Sequence, residues 1–171
     1  CRNTISRFGK LFFPTTAKNQ KARLLHGKTI HFRYIPAYDD CSMKIALFSD
    51  VHANLPALEA VLEDIDQRAP DAVYCLGDLV GYNIWPNEVV RLIRQRGIPC
   101  IAGNYDFGIG LSGDDCGCAY KTDRDKENGA ISIRYTNEIV GGEARAYLRT
   151  LPFHIQLQFR FAEALLIYAE A

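Results

Sequence analysis

An α/β domain is predicted from Met43 onward, and three features of the chain carry that prediction. Compact apolar runs alternate with segments of helical period over residues 44–102, in the order strand, helix, strand, helix, strand. Each apolar run ends in a short polar motif: Asp50-Val51-His52, Gly77-Asp78 and Gly103-Asn104. The motifs recur at nearly one interval, 28 residues from Asp50 to Asp78 and 26 from Asp78 to Asn104. A strand, a crossover helix and the next parallel strand take roughly 30 residues. Right-handed crossovers bring the carboxyl ends of successive parallel strands to one edge of the sheet. Two carboxylates, an imidazole and an amide oxygen would meet there, a donor set for hard or borderline divalent cations and hence for metal-assisted chemistry.

Taken in order, Lys44–Ser49 is a short apolar run read as a buried parallel strand. Asn54 is placed to cap a helix with Pro56 near its start and Leu58, Val61, Leu62 and Ile65 at helical spacing, until Pro70 ends the pattern. Ala72–Leu76 is the second strand. Asn87 opens a second helix bearing Val89, Val90, Leu92 and Ile93, with Gly97 as its stop, and Ile98–Ala102 is the third strand. Residues 107–126, rich in Gly, Asp and Ser, read as a loop long enough for a functional or lid role. Two helical stretches follow at about 127–140 and 142–150, parted by Gly141-Gly142. Phe153, Ile155, Leu157 and Phe159 then alternate as in a half-buried strand, with His154 read as structural, and Ala164–Tyr168 is a further strand.

A chain of 171 residues is long enough for one domain with a core, and its 48% hydrophobic and 23% charged content is that of a globular protein. No apolar run approaches the roughly 20 residues of a membrane span, so no membrane partner is expected. The six cysteines lack a regular disulfide spacing, and Cys75 and Cys100 fall inside predicted strands, so the expected setting is a reducing cytoplasm. The net charge of zero conceals a division: residues 1–42 hold eight Lys/Arg against two acids, and residues 43–171 hold twelve against eighteen. Met43, the single methionine, stands at that boundary, and residues 43–171 are read as the domain. Residues 1–42 are expected to lie outside it, as a product of upstream translation, a basic targeting segment, or an arm for nucleic acid or an acidic partner.

Asp50-x-His52, Gly77-Asp78-x-x-Gly81 and Gly103-Asn104-x-Asp106, in this order at strand ends, resemble the calcineurin-like metallophosphoesterase family, and within it the small bacterial phosphodiesterase branch. The resemblance covers about residues 43–168. It implies a layered α/β/β/α sandwich of which this chain holds the N-terminal part, and hydrolysis of phosphoric esters, phosphodiesters foremost, by a water activated between two divalent cations. Mn²⁺ is the favoured ion, with Fe, Zn or Mg open. Asp50 and His52 are implied as ligands of the first cation, Asp78 as the bridging carboxylate and Asn104 as an amide ligand of the second. A small phosphodiester or nucleotide is the implied substrate; nucleic acid is not the expected partner.

Two departures qualify the resemblance. Tyr105 stands where many members carry a histidine acting as general acid. A phenol with an ordinary pKa near 10 is a poorer proton donor at neutral pH, though it can still bind a phosphate. Tyr105 and Asp106 are therefore taken as candidate substrate-binding residues, Asp106 also as a turn residue. The family's later metal-binding histidines have no counterpart among His26, His31, His52 and His154, so the motifs encode about half of a two-metal site, and the chain is expected to be truncated. A scaffold that has lost activity, or a non-functional gene fragment, is the alternative. Cys116-Gly117-Cys118 reads as plain loop or a substrate-facing one, and Tyr82, Trp85 and Phe107 as rim packing or a stacking surface for a base.

Overall fold

The computed structural model describes residues 29–32, 43–158 and 163–168. The elements are β1 (Thr29–Phe32), β2 (Ile45–Phe48), α1 (Leu55–Arg68), β3 (Ala72–Cys75), α2 (Pro86–Arg96), α3 (Asn104–Gly110), α4 (Asp123–Ile139), α5 (Gly142–Leu148), β4 (His154–Gln158) and β5 (Glu163–Ile167). β2 and β3 pair in parallel, with Ile45 opposite Ala72 and Phe48 opposite Cys75. A second sheet has the order β1-β4-β5, parallel between β1 and β4 and antiparallel between β4 and β5.

Strand alternation assigns the two faces of the β2–β3 sheet to two cores. Ala46, Phe48, Val73 and Cys75 face a core built with Leu58, Leu62 and Ile65 of α1 and Val89, Val90 and Ile93 of α2. Ile45, Ala72, Tyr74 and Leu76 face the other way, onto Ile155 and Leu157 of β4 and Ala164 and Leu166 of β5. Helices, first sheet and second sheet thus form successive layers, the α/β arrangement expected from the sequence.

The helix signals act as predicted at their ends. Asn54 Oδ1 accepts from Ala57 N at 3.2 Å, and α1 stops at Ala69, whose left-handed φ of 45° precedes Pro70. Gly97 ends α2 at φ 63°. Asn87, expected to open α2, lies one residue inside it behind Pro86. Its side chain instead donates to Ile139 O and accepts from Gly141 N, clamping the turn between α4 and α5.

Three expectations change. The strand predicted at Ile98–Ala102 contracts to a single parallel bridge between Cys75 and Cys100. Pro99 has no N–H to give a ladder, so only its carbonyl bonds, to Cys75 N at 2.9 Å. The loop predicted from residue 107 begins later, because α3 runs through Gly110. Its glycines make room for neighbours: a Cβ on Gly108 would meet Cys116 Sγ at 2.7 Å. Thr29–Phe32, within the segment expected outside the domain, lies beside β4 as a parallel strand. The rest of residues 1–42 falls outside the described residues.

Candidate metal centre

The three motifs form three loops at the carboxyl ends of β2, β3 and the bridged segment after it. Backbone bonds lock the first loop to the second: Asp50 N to Gly77 O at 3.0 Å, His52 N to Asp78 O at 2.8 Å and Ala53 N to Leu79 O at 2.7 Å. Asp50, His52 and Asp78 all hold left-handed backbones, with φ of 55°, 46° and 53°. Such a conformation costs a non-glycine residue roughly 1–2 kcal/mol, least for Asp and Asn. Three together are strain of the kind found where side chains must converge. The second and third loops touch with no space between them, since a Cβ on Gly77 would lie 2.4 Å from Gly103 N.

The loops bring together Asp50, His52 and Asp78, and Asn104 Oδ1 meets Asp78 Oδ2 across the Tyr168 hydroxyl. One donor atom from each of Asp50, His52 and Asp78 lies within 4.8 Å of the others, the one such group of three or more His, Cys, Asp or Glu side chains among the described residues. His52 Nε2 is 4.0 Å from Asp50 Oδ1 and 3.8 Å from Asp78 Oδ2. His52 Nδ1 lies 3.1 Å from Val80 O, so it carries the proton that bonds this carbonyl, leaving the Nε2 lone pair for the cluster. The ring is held edge-on against Tyr82 and Tyr105, at centroid distances of 4.9 and 5.5 Å. Ser49 Oγ donates to Asp50 Oδ2.

Asp78 is buried, and Tyr105 N donates to its Oδ1 at 3.0 Å, which leaves Oδ2 toward the cluster. Burial pushes its carboxyl pKa up, against the opposing pull of a hydrogen bond from Tyr168 and the nearby His52. A divalent cation would reverse that balance. Asn104 opens α3, and its Nδ2 donates to Cys116 O at 3.0 Å and Cys118 Sγ at 3.1 Å. The Cys116-Gly117-Cys118 loop thus orients the amide, and Asn104 Oδ1 faces Tyr168 Oη at 2.9 Å.

Tyr105 and Asp106 stand elsewhere than a substrate contact requires. Tyr105 is 1% exposed, its ring filling the space that Gly81 leaves open, and its buried hydroxyl makes no hydrogen bond. Burial raises its pKa far above that of an ordinary phenol. Asp106 is wholly buried and works as a brace, accepting from Leu79 N at 2.9 Å and Gly103 N at 3.1 Å. Burial first, then the neighbouring Asp78 charge, push its pKa up to about 8. The pattern Gly103-x-x-Asp106 was the available signal, an acid at the third helical position reaching back to the cap. Asp106→Ala should cost about 2–4 kcal/mol by orphaning two buried N–H groups, read as a lower urea midpoint at unchanged slope. His154 begins β4, apart from the cluster.

Residues 43–160 match the sequence profile of the calcineurin-like phosphoesterases. The chain belongs to that family. Over 112 residues it is 40% identical to an uncharacterized protein of Methanocaldococcus jannaschii, a match covering 66% of this chain and 43% of that protein. A solved metallophosphoesterase from Sphaerobacter thermophilus shares 34% identity at a TM-score of 0.48, over 66% of this chain and 42% of that one. A solved candidate diadenosine tetraphosphatase superposes at a TM-score of 0.58 and 18% identity, over 84% of this chain and 55% of that one. The chain therefore spans about half the length of these relatives. Family members act with divalent metals, and this donor set fits such a group: carboxylates and an amide oxygen for a hard ion, an imidazole in the ligating tautomer. Asp50, His52 and Asp78 would hold one cation, and Asp78 with Asn104 a second.

Proposed function

We propose that the protein hydrolyses phosphodiesters with Mn²⁺ as the preferred ion, with Asp50, His52, Asp78 and Asn104 as ligands. The observation that carries this reading is the convergence of Asp50, His52 and Asp78 within 4.8 Å at one sheet edge. Bound there, divalent cations acidify a water and neutralise charge on the phosphoryl oxygens. The chain's own part is to hold the ligands ready. Val80 O sets the His52 tautomer, Tyr105 N pins one Asp78 oxygen, and the Cys116–Cys118 loop aims the Asn104 amide.

The third motif supplies no proton donor, because the Tyr105 hydroxyl is buried. Leaving groups that carry negative charge unaided are thus favoured, as in activated diesters and the phosphoanhydrides of small nucleotides. Tyr82, half exposed against His52, offers such a nucleotide a stacking face at the mouth. The four described cysteines are all free thiols, which supports a reducing, cytoplasmic setting.

The test is hydrolysis of bis(4-nitrophenyl) phosphate, 4-nitrophenyl phosphate and a dinucleoside polyphosphate by the full chain, stripped with chelator and resupplied with Mn²⁺, Mg²⁺, Zn²⁺ or Fe²⁺. Activity restored best by Mn²⁺, and greater on the diester than on the monoester, is the expected result. A folded, Mn²⁺-loaded chain inert toward all three would replace this reading with that of a binding scaffold.

A further inference from the structure

Tyr168, the residue after β5, touches the two oxygens that would hold a second cation. Its hydroxyl lies 2.8 Å from Asp78 Oδ2 and 2.9 Å from Asn104 Oδ1. Neither acceptor can turn away. Asp78 Oδ1 is held by Tyr105 N, and the Asn104 amide cannot flip while its Nδ2 donates to Cys116 and Cys118. A phenol carries one proton, and a carboxylate oxygen and an amide oxygen carry none. The hydroxyl can therefore donate to one of them at a time, leaving the other as a bare oxygen–oxygen contact. Three oxygens turned on one proton make a poor hydrogen-bond arrangement and a good place for a positive charge.

We propose that the Tyr168 hydroxyl stands in for the second cation between Asp78 and Asn104, so that an ion enters there only when this hydroxyl swings out. The proposal rests on the reading of Asp78 and Asn104 as ligands and adds a residue that the motifs do not contain. Affinity for an ion whose site is open only part of the time falls by the open fraction. The cation of Asp50, His52 and Asp78 shares one ligand oxygen, Asp78 Oδ2, with this hydroxyl, whereas the second cation shares with it both Asp78 Oδ2 and Asn104 Oδ1. The two ions should thus bind with unequal strength, the weaker one reporting on Tyr168.

Calorimetric titration of the metal-free full chain with Mn²⁺, wild type against Tyr168→Phe, reads this directly. One hydrogen bond to a charged oxygen is removed, so the weaker site should tighten by about ten- to a hundredfold while the tighter site moves less. In the wild type, the tyrosine ultraviolet difference spectrum should change with the second equivalent of Mn²⁺ and not the first, a readout that does not depend on the variant folding. A weaker site that loosens on Tyr168→Phe would make Tyr168 a ligand and overturn the proposal, as would equal binding in the two proteins or a spectrum silent at the second equivalent. Absence of any Mn²⁺ binding would instead defeat the metal centre itself.

Discussion

Asp78→Asn is expected to abolish tight Mn²⁺ binding and to lower diester hydrolysis about a thousandfold or more. Asparagine keeps an oxygen for Tyr105 N, while the charge is removed and an amide nitrogen replaces Oδ2, the acceptor of the Tyr168 hydroxyl. Oδ2 is the oxygen that faces both His52 and Tyr168. A cation's stabilisation of a phosphoryl transition state is worth several kcal/mol, at about 1.4 kcal/mol per factor of ten. The fold should survive, because the carboxyl sits buried with its pKa raised, and a neutral amide escapes that desolvation. Mn²⁺ calorimetry and urea unfolding on the same preparation separate the two effects. A variant that keeps Mn²⁺-dependent turnover would remove Asp78 from the centre.

Gly103→Ala should destabilise the protein by about 3 kcal/mol or more and take Mn²⁺ binding with it. The backbone there has φ −79°, open to any residue, so the penalty is one of space alone. An added Cβ would lie 2.1 Å from Asp78 Oδ1 and 2.5 Å from Asp78 N, and the second of these is backbone that cannot rotate aside. The loop that carries one ligand and the loop that carries another would be forced apart. Gly142→Ala is the control, since a Cβ at the start of α5 meets nothing within 4 Å. It should leave stability unchanged or raise it by about 0.5–1 kcal/mol. Equal urea midpoints for the two variants would remove close loop packing as the reason for glycine at 103.

The candidate cluster was legible because strand ends converge by topology alone. The apolar runs before Asp50, Asp78 and Asn104 and the near-equal intervals between them dictate parallel strands, and parallel strands share an edge. Helix ends were legible for a similar local reason: Asn54 and Gly97 do their capping within a few residues of themselves. Asn87 looked like the same kind of signal, yet its side chain serves a turn more than 50 residues away. The depth of Tyr105 and Asp106 was not legible. A tyrosine and an acid beside a ligand read as substrate contacts until burial shows one packed under His52 and the other bracing two loops.

The sequence by itself determined the α/β order and placed Asp50, His52, Asp78 and Asn104 at the ends of successive strands, since periodicity and spacing are properties of neighbours along the chain. Only the tertiary structure decided how those atoms are aimed. The tautomer of His52 depends on Val80 O, the direction of the Asn104 amide on Cys116 and Cys118, and the occupant of the gap between Asp78 and Asn104 on Tyr168, 64 residues beyond Asn104. Each is a hydrogen bond between loops or strand ends, whose 2.8–3.1 Å geometry exists only once the layers have packed.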